Sequence, residues 1–334
     1  MTRILITGAS GFIGSYLVEE GLRRHCDIYA AVRPHSNLQY LQDERIHILP
    51  LDLSDPHKLI QKWQELKVCF EAFDYVIHNA GITQAVNTAD FDRVNYDCTR
   101  HLVQSLADAD FKPKKFIFMS SLAAQGPGDA KTLAPIAGHQ LPAPVTHYGR
   151  SKLKAEHYLA TQQDIPYLIF RPTAVYGPRD KDFLSFFKTI SCHLEPYLCS
   201  PKQRLSFIYV KDLVRLLYQS LEAPVVNRCF FASDGANYTS AELSSISKKA
   251  LHKWTIAITF PKSLIKGIAW VSETIANFRQ KTSVLNRDKY QELTSPNWAC
   301  DATQTLKDFR FQPQYTLEKG IRETIQWYKD TKRL

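Results

Sequence analysis

A chain of 334 residues is long enough to bury a large core without help from disulfides or metals, and to divide into two lobes. With 44% hydrophobic and 22% charged residues, and with 13 glycines and 17 prolines scattered along it, the composition excludes disordered, collagen-like and coiled-coil classes. The formal net charge of +9 is unevenly placed: residues 241–334 carry +7 of it and the first 240 only +2, which admits nucleic acid, an anionic surface, an acidic ligand or a solvated basic face.

In chain order, short apolar runs alternate with longer segments of helical period, the pattern of a parallel sheet wrapped by helices. Strands are expected at Arg3–Thr7, Asp27–Arg33, Ile46–Leu49, Asp74–His78, Lys114–Ser120 and Pro166–Arg171, and helices at 11–24, 54–66, 89–109 and 146–163. Beyond Arg171 the pattern loosens into a loop-rich stretch at 176–206, a strand-helix pair at 205–221, a strand at 228–232 and mainly helices to the end. The run from Trp254 to Ala276 is broken by Pro261, Lys262, Lys266 and Glu273, so it reads as a strand followed by a helix and not as a membrane span. Within it Leu264, Ile268, Val271 and Ile275 form an apolar stripe at helical spacing; such a stripe most often packs on its own domain, the other options being a membrane surface or a subunit. The fold expected is α/β, a Rossmann-type doubly wound parallel sheet with a smaller, mainly helical substrate lobe. The Rossmann domain would take 1–172 plus about 205–235, and the substrate lobe 173–204 plus 236–334.

The seven cysteines (26, 69, 98, 192, 199, 229 and 300) form no C-x-x-C pair and have no histidines at zinc-ligand spacing, so no metal site is expected. Unpaired cysteines suit a reducing, cytoplasmic location. The opening apolar run is too short for the core of a signal peptide, and no transmembrane segment is expected. The aromatic residues lack the basic-aromatic interleaving that stacks nucleic-acid bases, so nucleic acid is not an expected partner. Lysines such as 248, 249, 253, 262, 266 and 281 are spaced like solvated helix faces.

Between the first strand and first helix stands Thr7-Gly8-Ala9-Ser10-Gly11-Phe12-Ile13-Gly14. In that context glycines permit a tight turn, close approach of the backbone to a pyrophosphate at a positive helix N-terminus, and tight packing of helix on sheet. Dinucleotide binding follows, with Gly8, Ser10, Gly11, Phe12, Ile13 and Gly14 at the cofactor. Where a carboxylate usually selects NAD by its ribose hydroxyl, the end of the second strand offers Val32-Arg33 instead. A guanidinium grips a 2′-phosphate, so NADP is preferred and NAD remains acceptable through backbone contacts. Asp52 and Leu53 would flank the adenine, although Asp52 could equally cap the next helix.

Tyr148-Gly149-Arg150-Ser151-Lys152 puts a phenol and an ammonium on one helix face. A phenol titrates near 10, and a neighbouring ammonium favours its anion. Upstream, Phe116-Ile117-Phe118-Met119-Ser120-Ser121 is an apolar strand ending in two hydroxyls at the sheet edge where ligands bind. With the glycine motif, these pieces resemble the extended branch of the short-chain dehydrogenase/reductase family, the NAD-dependent epimerase/dehydratase group. Further matches are His78-Asn79-Ala80-Gly81, Val94-Asn95, Arg171-Pro172-Thr173-Ala174-Val175-Tyr176-Gly177-Pro178 and Phe207-Ile208-Tyr209-Val210-Lys211-Asp212-Leu213, in family order along nearly the whole chain.

The resemblance implies that Ser121, chosen over Ser120 by its spacing to Gly126, and Tyr148 act on the substrate oxygen. Lys152 would hold the nicotinamide ribose and lower the Tyr148 pKa. Asn79, Ala80 and Gly81 would line the middle of the cofactor, Pro172, Thr173 and Val175 would border the nicotinamide, and Asn95 would support the sheet end. Gln84, Gln125 and Tyr176 are weaker candidates for contact with substrate.

Family dehydratases carry Asp-Glu after the catalytic hydroxyl, where this chain has Leu122-Ala123, and nucleotide-sugar epimerases carry a late arginine-x-glycine-aspartate segment, where it has Ser295-Pro296-Asn297-Trp298-Ala299-Cys300-Asp301. The expectation is therefore an NAD(P)-dependent oxidoreductase interconverting a secondary alcohol and a ketone, similar to the dihydroflavonol-reductase-like branch, acting on a small molecule. The alternatives are an NAD(P)-dependent epimerase of a nucleotide sugar and a non-catalytic dinucleotide-sensing protein. The family also allows a homodimer through the Rossmann-lobe helices.

Overall fold

The computed structural model describes residues 1–278 and 287–334. The first half alternates strand and helix: β1 (Arg3–Thr7), α1 (Phe12–Arg23), β2 (Asp27–Val32), β3 (Ile46–Pro50), α2 (Pro56–Lys67) and β4 (Tyr75–His78). Next come α3 (Ala89–Phe91), a π-helical turn at Asp92–Asp97, α4 (Cys98–Asp108), β5 (Lys115–Met119), α5 (Leu122–Gln125), α6 (His147–Ala160) and β6 (Tyr167–Pro172). These agree with the periodicity to within two residues or so, except that the helix expected at 89–109 is interrupted by the π turn and the one at 146–163 ends at Ala160.

The second half contains β7 (Ala174–Tyr176), α7 (Asp182–Ser191), β8 (Leu194–Tyr197), β9 (Arg204–Leu205), β10 (Phe207–Tyr209), α8 (Val210–Leu221), β11 (Arg228–Ala232), β12 (Tyr238–Thr239) and α9 (Ser240–Leu251). It closes with β13 (Ile256–Thr259), α10 (Lys262–Phe278), α11 (Arg287–Thr294), β14 (Asn297–Trp298), α12 (Thr303–Asp308) and α13 (Leu317–Asp330). The stretch 176–206 is thus not loop throughout. Phe183, Leu184, Phe187 and Ile190 recur at helical spacing in α7, and Phe187 and Ile190 are fully buried.

Seven parallel strands form the central sheet in the order β11-β6-β5-β4-β1-β2-β3, so the strand order reverses between β1 and β4. One face is covered by α1 and α8 over a core that includes Ile4, Leu17, Leu213 and Leu217, the other by α2, α4 and α6 over Leu5, Trp63, Leu102 and Ala155. Both faces being covered explains why β5, Lys-Phe-Ile-Phe-Met, is buried along its whole length. A third core gathers Tyr176, Phe187, Phe207, Tyr209, Leu243, Ile321 and Tyr328 from β7, α7, β10, α9 and α13.

The stripe read in 264–275 behaves differently from the reading that packs it on its own domain. Helix α10 buries Ile265 and Ala269, while Leu264 and Ile268 are each 48% exposed. The side chains of Val271 and Ile275, and Lys281, lie outside the described residues.

Candidate functional site

Ligands of open α/β sheets bind beyond the carboxyl ends of the strands where the strand order reverses. Here that edge carries Gly8 after β1, Asn79 after β4, Ser120 and Ser121 after β5, and Thr173 after β6. At Gly14 the chain has no room for a side chain, since a Cβ would lie 2.0 Å from the Gly8 carbonyl oxygen; this contact seats α1 against the turn. The N-cap of α1 is Gly11, and no side chain satisfies the first-turn N–H groups. Helix N-termini left open in this way attract anions. Opposite, the Ala80 N–H donates to Thr7 Oγ1 at 3.1 Å, and Asn79 Nδ2 donates to the Gly8 carbonyl at 3.4 Å. Of the expected cradle residues, Gly8, Asn79 and Ala80 are thus brought together beside the open N-terminus of α1 at Gly11, an arrangement with room and N–H groups for a pyrophosphate.

Beneath it lies a buried relay that the sequence did not single out. His78 bridges Thr7 Oγ1 at 2.7 Å and Thr99 Oγ1 at 2.9 Å. Burial, aided by the nearby Lys152 ammonium, pushes the His78 imidazole down to about 3, so the ring is neutral. It locks β1 to β4 where their loops form the cradle.

The Ser, Tyr and Lys candidates are brought together by the start of α6. Thr146 caps this helix by accepting from the Gly149 N–H at 3.0 Å. A Cβ at Gly149 would stand 2.2 Å from the Ala123 carbonyl, so the missing side chain lets α6 press against α5 and sets Tyr148 beside Ser121. Ser121 itself caps α5, accepting from the Ala123 N–H at 3.1 Å, and is half-buried. Ser120 points the other way, donating to the Glu156 carboxylate in the interior. Of the two serines, it is Ser121 that lies beside Tyr148.

Tyr148, Lys152 and Glu156 follow one another at four-residue intervals on the inner face of α6. Lys152 Nζ donates to the Met119 carbonyl at 2.8 Å and lies 4.9 Å from the Phe118 ring centre. Glu156 forms a buried ion pair with Arg171 on β6, and Arg171 also donates to Gln125 Oε1. Burial lowers the Lys152 ammonium to about 8, opposed by the Glu156 carboxylate. Burial raises the Tyr148 phenol to about 12; the Ser121 side chain works against this rise and the Glu292 charge adds to it. The expected depression of the Tyr148 pKa by Lys152 is therefore absent, because desolvation of the phenol dominates and the ammonium is engaged by Met119. Tyr148 is held as a neutral proton donor.

Two more candidates are corrected. Gln125 is buried, donating to the Gln140 carbonyl at 3.0 Å as well as accepting from Arg171, and Tyr176 lies in the third core with its hydroxyl against Gly320 and the Thr316 carbonyl. Neither side chain is left to meet a substrate. Gln84 is exposed after β4. Asp52 forms a turn with Ser54 at 3.0 Å, and the cap of α2 is Asp55, so Asp52 is no helix cap. Leu53 is half-buried and its carbonyl meets His101 Nδ1 at 3.3 Å. Arg33 is exposed at the end of β2, and among the described residues its side chain makes no hydrogen bond or ion pair. Pro172 ends β6, Thr173 donates from N and Oγ1 to the Ala232 carbonyl at 3.0 and 3.2 Å, and Val175 is half-buried on β7. Asn95 is fully buried and holds Ile82 through both its amide groups, which supports the sheet end as expected.

Sequence reasoning also missed Asp288 and Glu292 of α11. Asp288 accepts from the His147 N–H at 2.6 Å, and Glu292 acts on Tyr148 through its charge. Glu156 could have been found by continuing the four-residue spacing from Tyr148 and Lys152.

A parallel sheet with a glycine turn at its reversal point, and with Ser121, Tyr148 and Lys152 at its carboxyl edge, defines a Rossmann-type nucleotide-binding protein. The chain belongs to the NAD dependent epimerase/dehydratase family, whose model matches residues 4–229. It is 27% identical to a UDP-glucose 4-epimerase from Vibrio cholerae over 97% of this chain and 94% of that one. It is 26% identical to a ceramide reductase from Caulobacter vibrioides over 98% and 94%. Among solved structures it is similar to the Bordetella bronchiseptica enzyme WbmG in complex with NAD and UDP, with a TM-score of 0.76, 18% identity and coverage of 98% and 95%. Other relatives bear the names of nucleotide-sugar epimerases and dehydratases, so by resemblance the epimerase alternative fits better than net alcohol–ketone oxidoreduction. Among the described residues no helix is long and apolar enough to cross a membrane.

Proposed function

We propose that the protein is an NADPH-dependent reductase of a secondary ketone, on the dihydroflavonol-reductase-like side of its family. The observation that carries this reading is the use made of residues 295–301, where an epimerase would grip its substrate's diphosphate. Asn297 is fully buried and its Nδ2 donates to the Ala134 carbonyl at 2.8 Å, its carbonyl accepts from the Gly128 N–H, and Ala299 and Asp301 bracket Ile136. That stretch fastens the loop after α5 and carries no cation of its own, the neighbouring cation being Arg204 of β9, which pairs with Asn297. One relative bears the name of a reductase, which supports a net reduction.

In this reading the bound nicotinamide supplies the hydride. Tyr148, kept protonated by burial, donates its proton to the ketone oxygen, which Ser121 orients by a hydrogen bond. Lys152 would hold the ribose hydroxyls, and its ammonium would return a proton to the phenolate and be reprotonated from solvent. Arg33, just past the end of β2, would hold the 2′-phosphate. The substrate enters between the sheet edge and the part built from 173–204 and 236–334. A homodimer through the Rossmann-lobe helices belongs to the same proposal.

A screen of ketones following NADPH absorbance tests it. Tyr148→Phe is expected to bind NADPH normally and to lose about 100- to 10,000-fold in turnover. Full turnover by that variant would sink the mechanism, and a clear preference for NADH would sink the role of Arg33. A second reading, epimerisation of a nucleotide sugar, is favoured by the names of two of the relatives. Interconversion of UDP-glucose and UDP-galactose by protein that retains NAD through dialysis would replace the first reading with this one.

A further inference from the structure

Apolar residues scattered singly on a surface need no explanation, but several exposed close together in the chain beside unpaired cations do. Such a group stands where α9 passes into β13 and α10. Trp254, Ile256, Ile258, Leu264 and Ile268 are 65, 57, 38, 48 and 48% exposed, and every residue of β13 is exposed although it pairs with β8 along one edge. The same short segment carries Lys249, Lys253, Lys262 and Lys266, all exposed and none in an ion pair among the described residues. Lys248, by contrast, is paired with Glu195 at 2.7 Å. Between α9 and Trp254 lies an open depression of about 590 Å³ lined by Lys248, Lys249, His252, Lys253 and Trp254, a cationic hollow beside an indole.

We propose that this face docks the protein on an anionic lipid bilayer, with the apolar side chains of β13 and α10 in the headgroup boundary and the lysines on lipid phosphates. Helices that lie in an interface combine an apolar face bearing tryptophan with lysines on their flanks, which is the composition found here. Charge decides between this occupant and a second copy of the chain. A two-fold interface would set Lys249, Lys253, Lys262 and Lys266 against the same four lysines, whereas an anionic surface neutralises them. The location is also informative. Helix α10 packs on α11, whose Asp288 holds the His147 N–H next to Tyr148, so a docked protein would present its catalytic edge close to the bilayer. The proposal goes beyond the reductase reading and does not depend on it.

The test is co-sedimentation of the full chain with phosphatidylcholine vesicles, with and without phosphatidylglycerol. Binding is expected with phosphatidylglycerol, weakening as salt is raised. Leu264→Ser with Ile268→Ser is expected to weaken it about tenfold or more. Lys249→Ala and Lys266→Ala should each weaken it about fivefold. All four side chains are exposed, and circular dichroism with an unchanged melting temperature confirms that the variants are folded. Absence of binding to anionic vesicles by wild-type protein would overturn the proposal, as would binding that both sets of variants leave intact. A wild-type dimer that Leu264→Ser with Ile268→Ser dissolves, without any vesicle binding, would also overturn it and assign the face to a second copy.

Discussion

Burial holds the Lys152 ammonium at about 8, below the ordinary lysine value, so at neutral pH the charged form opposes folding. The cost is on the order of 3 kcal/mol. Replacing Lys152 by Met removes that cost and leaves the Met119 carbonyl without its donor, a loss of about 1–3 kcal/mol. Lys152→Met is therefore expected to keep a melting temperature within a few degrees of wild type while losing about 100-fold or more in turnover. Differential scanning fluorimetry beside NADPH kinetics checks it, and a parallel collapse of both would make Lys152 a structural residue. Residues like these were legible because their chemistry repeats at fixed local spacing: Gly8 to Gly14, Ser121 to Gly126, Tyr148 to Lys152. Asp288 was not, since its bond to His147 spans 141 positions and nothing near it in the chain hints at the contact. Gln125 and Tyr176 misled for a related reason. Their places next to site residues said nothing about which way their side chains turn.

Among the elements, α1 shows how little slack the cradle has. Gly14→Ala would force a Cβ to within 2.0 Å of the Gly8 oxygen and 2.8 Å of the Ala9 Cα, both backbone atoms that cannot rotate away. The helix must shift outward, costing about 1–3 kcal/mol in overpacking and opening the pyrophosphate turn. NADPH affinity measured by fluorescence titration is expected to fall at least about tenfold, and a variant with wild-type affinity would remove the turn from the binding site. Strands and long helices were readable from periodicity because both faces of the sheet are covered. The π turn at Asp92–Asp97 was not, since one extra residue in a helix leaves the apolar pattern nearly unchanged. Helix α7 did carry a helical pattern of phenylalanines, obscured by the loop residues after Tyr176. For α10 the period was right and the face wrong. Ile265 and Ala269 share the period of Leu264 and Ile268 one position away, and only the tertiary fold decides which pair turns inward.

For the molecule as a whole, His78 sets a limit on acid tolerance. Its folded pKa of about 3 lies below the ordinary histidine value, so the unfolded chain binds the extra proton first. The stabilising contribution is complete above about pH 6.5 and is lost as the pH falls toward 3, at about 1.4 kcal/mol per unit. Urea midpoints measured between pH 7 and 4 are expected to fall steeply, and His78→Gln, which keeps one hydrogen bond and does not titrate, should flatten that slope. An unchanged slope in the variant would assign the acid sensitivity elsewhere. The division of cores was foreseeable from the change of pattern after Arg171, but the fastening of the loop after α5 by Asn297, Ala299 and Cys300 was not, because it joins segments some 160 positions apart. That clasp has a consequence for biosynthesis. A nascent chain can lay down β1 to β6, and with them the glycine turn, Ser121 and Tyr148, long before residue 300 leaves the ribosome. The loop beside Ser121 stays unfastened until then, so a growing polypeptide acquires the means to hold cofactor well before it acquires a finished catalytic wall.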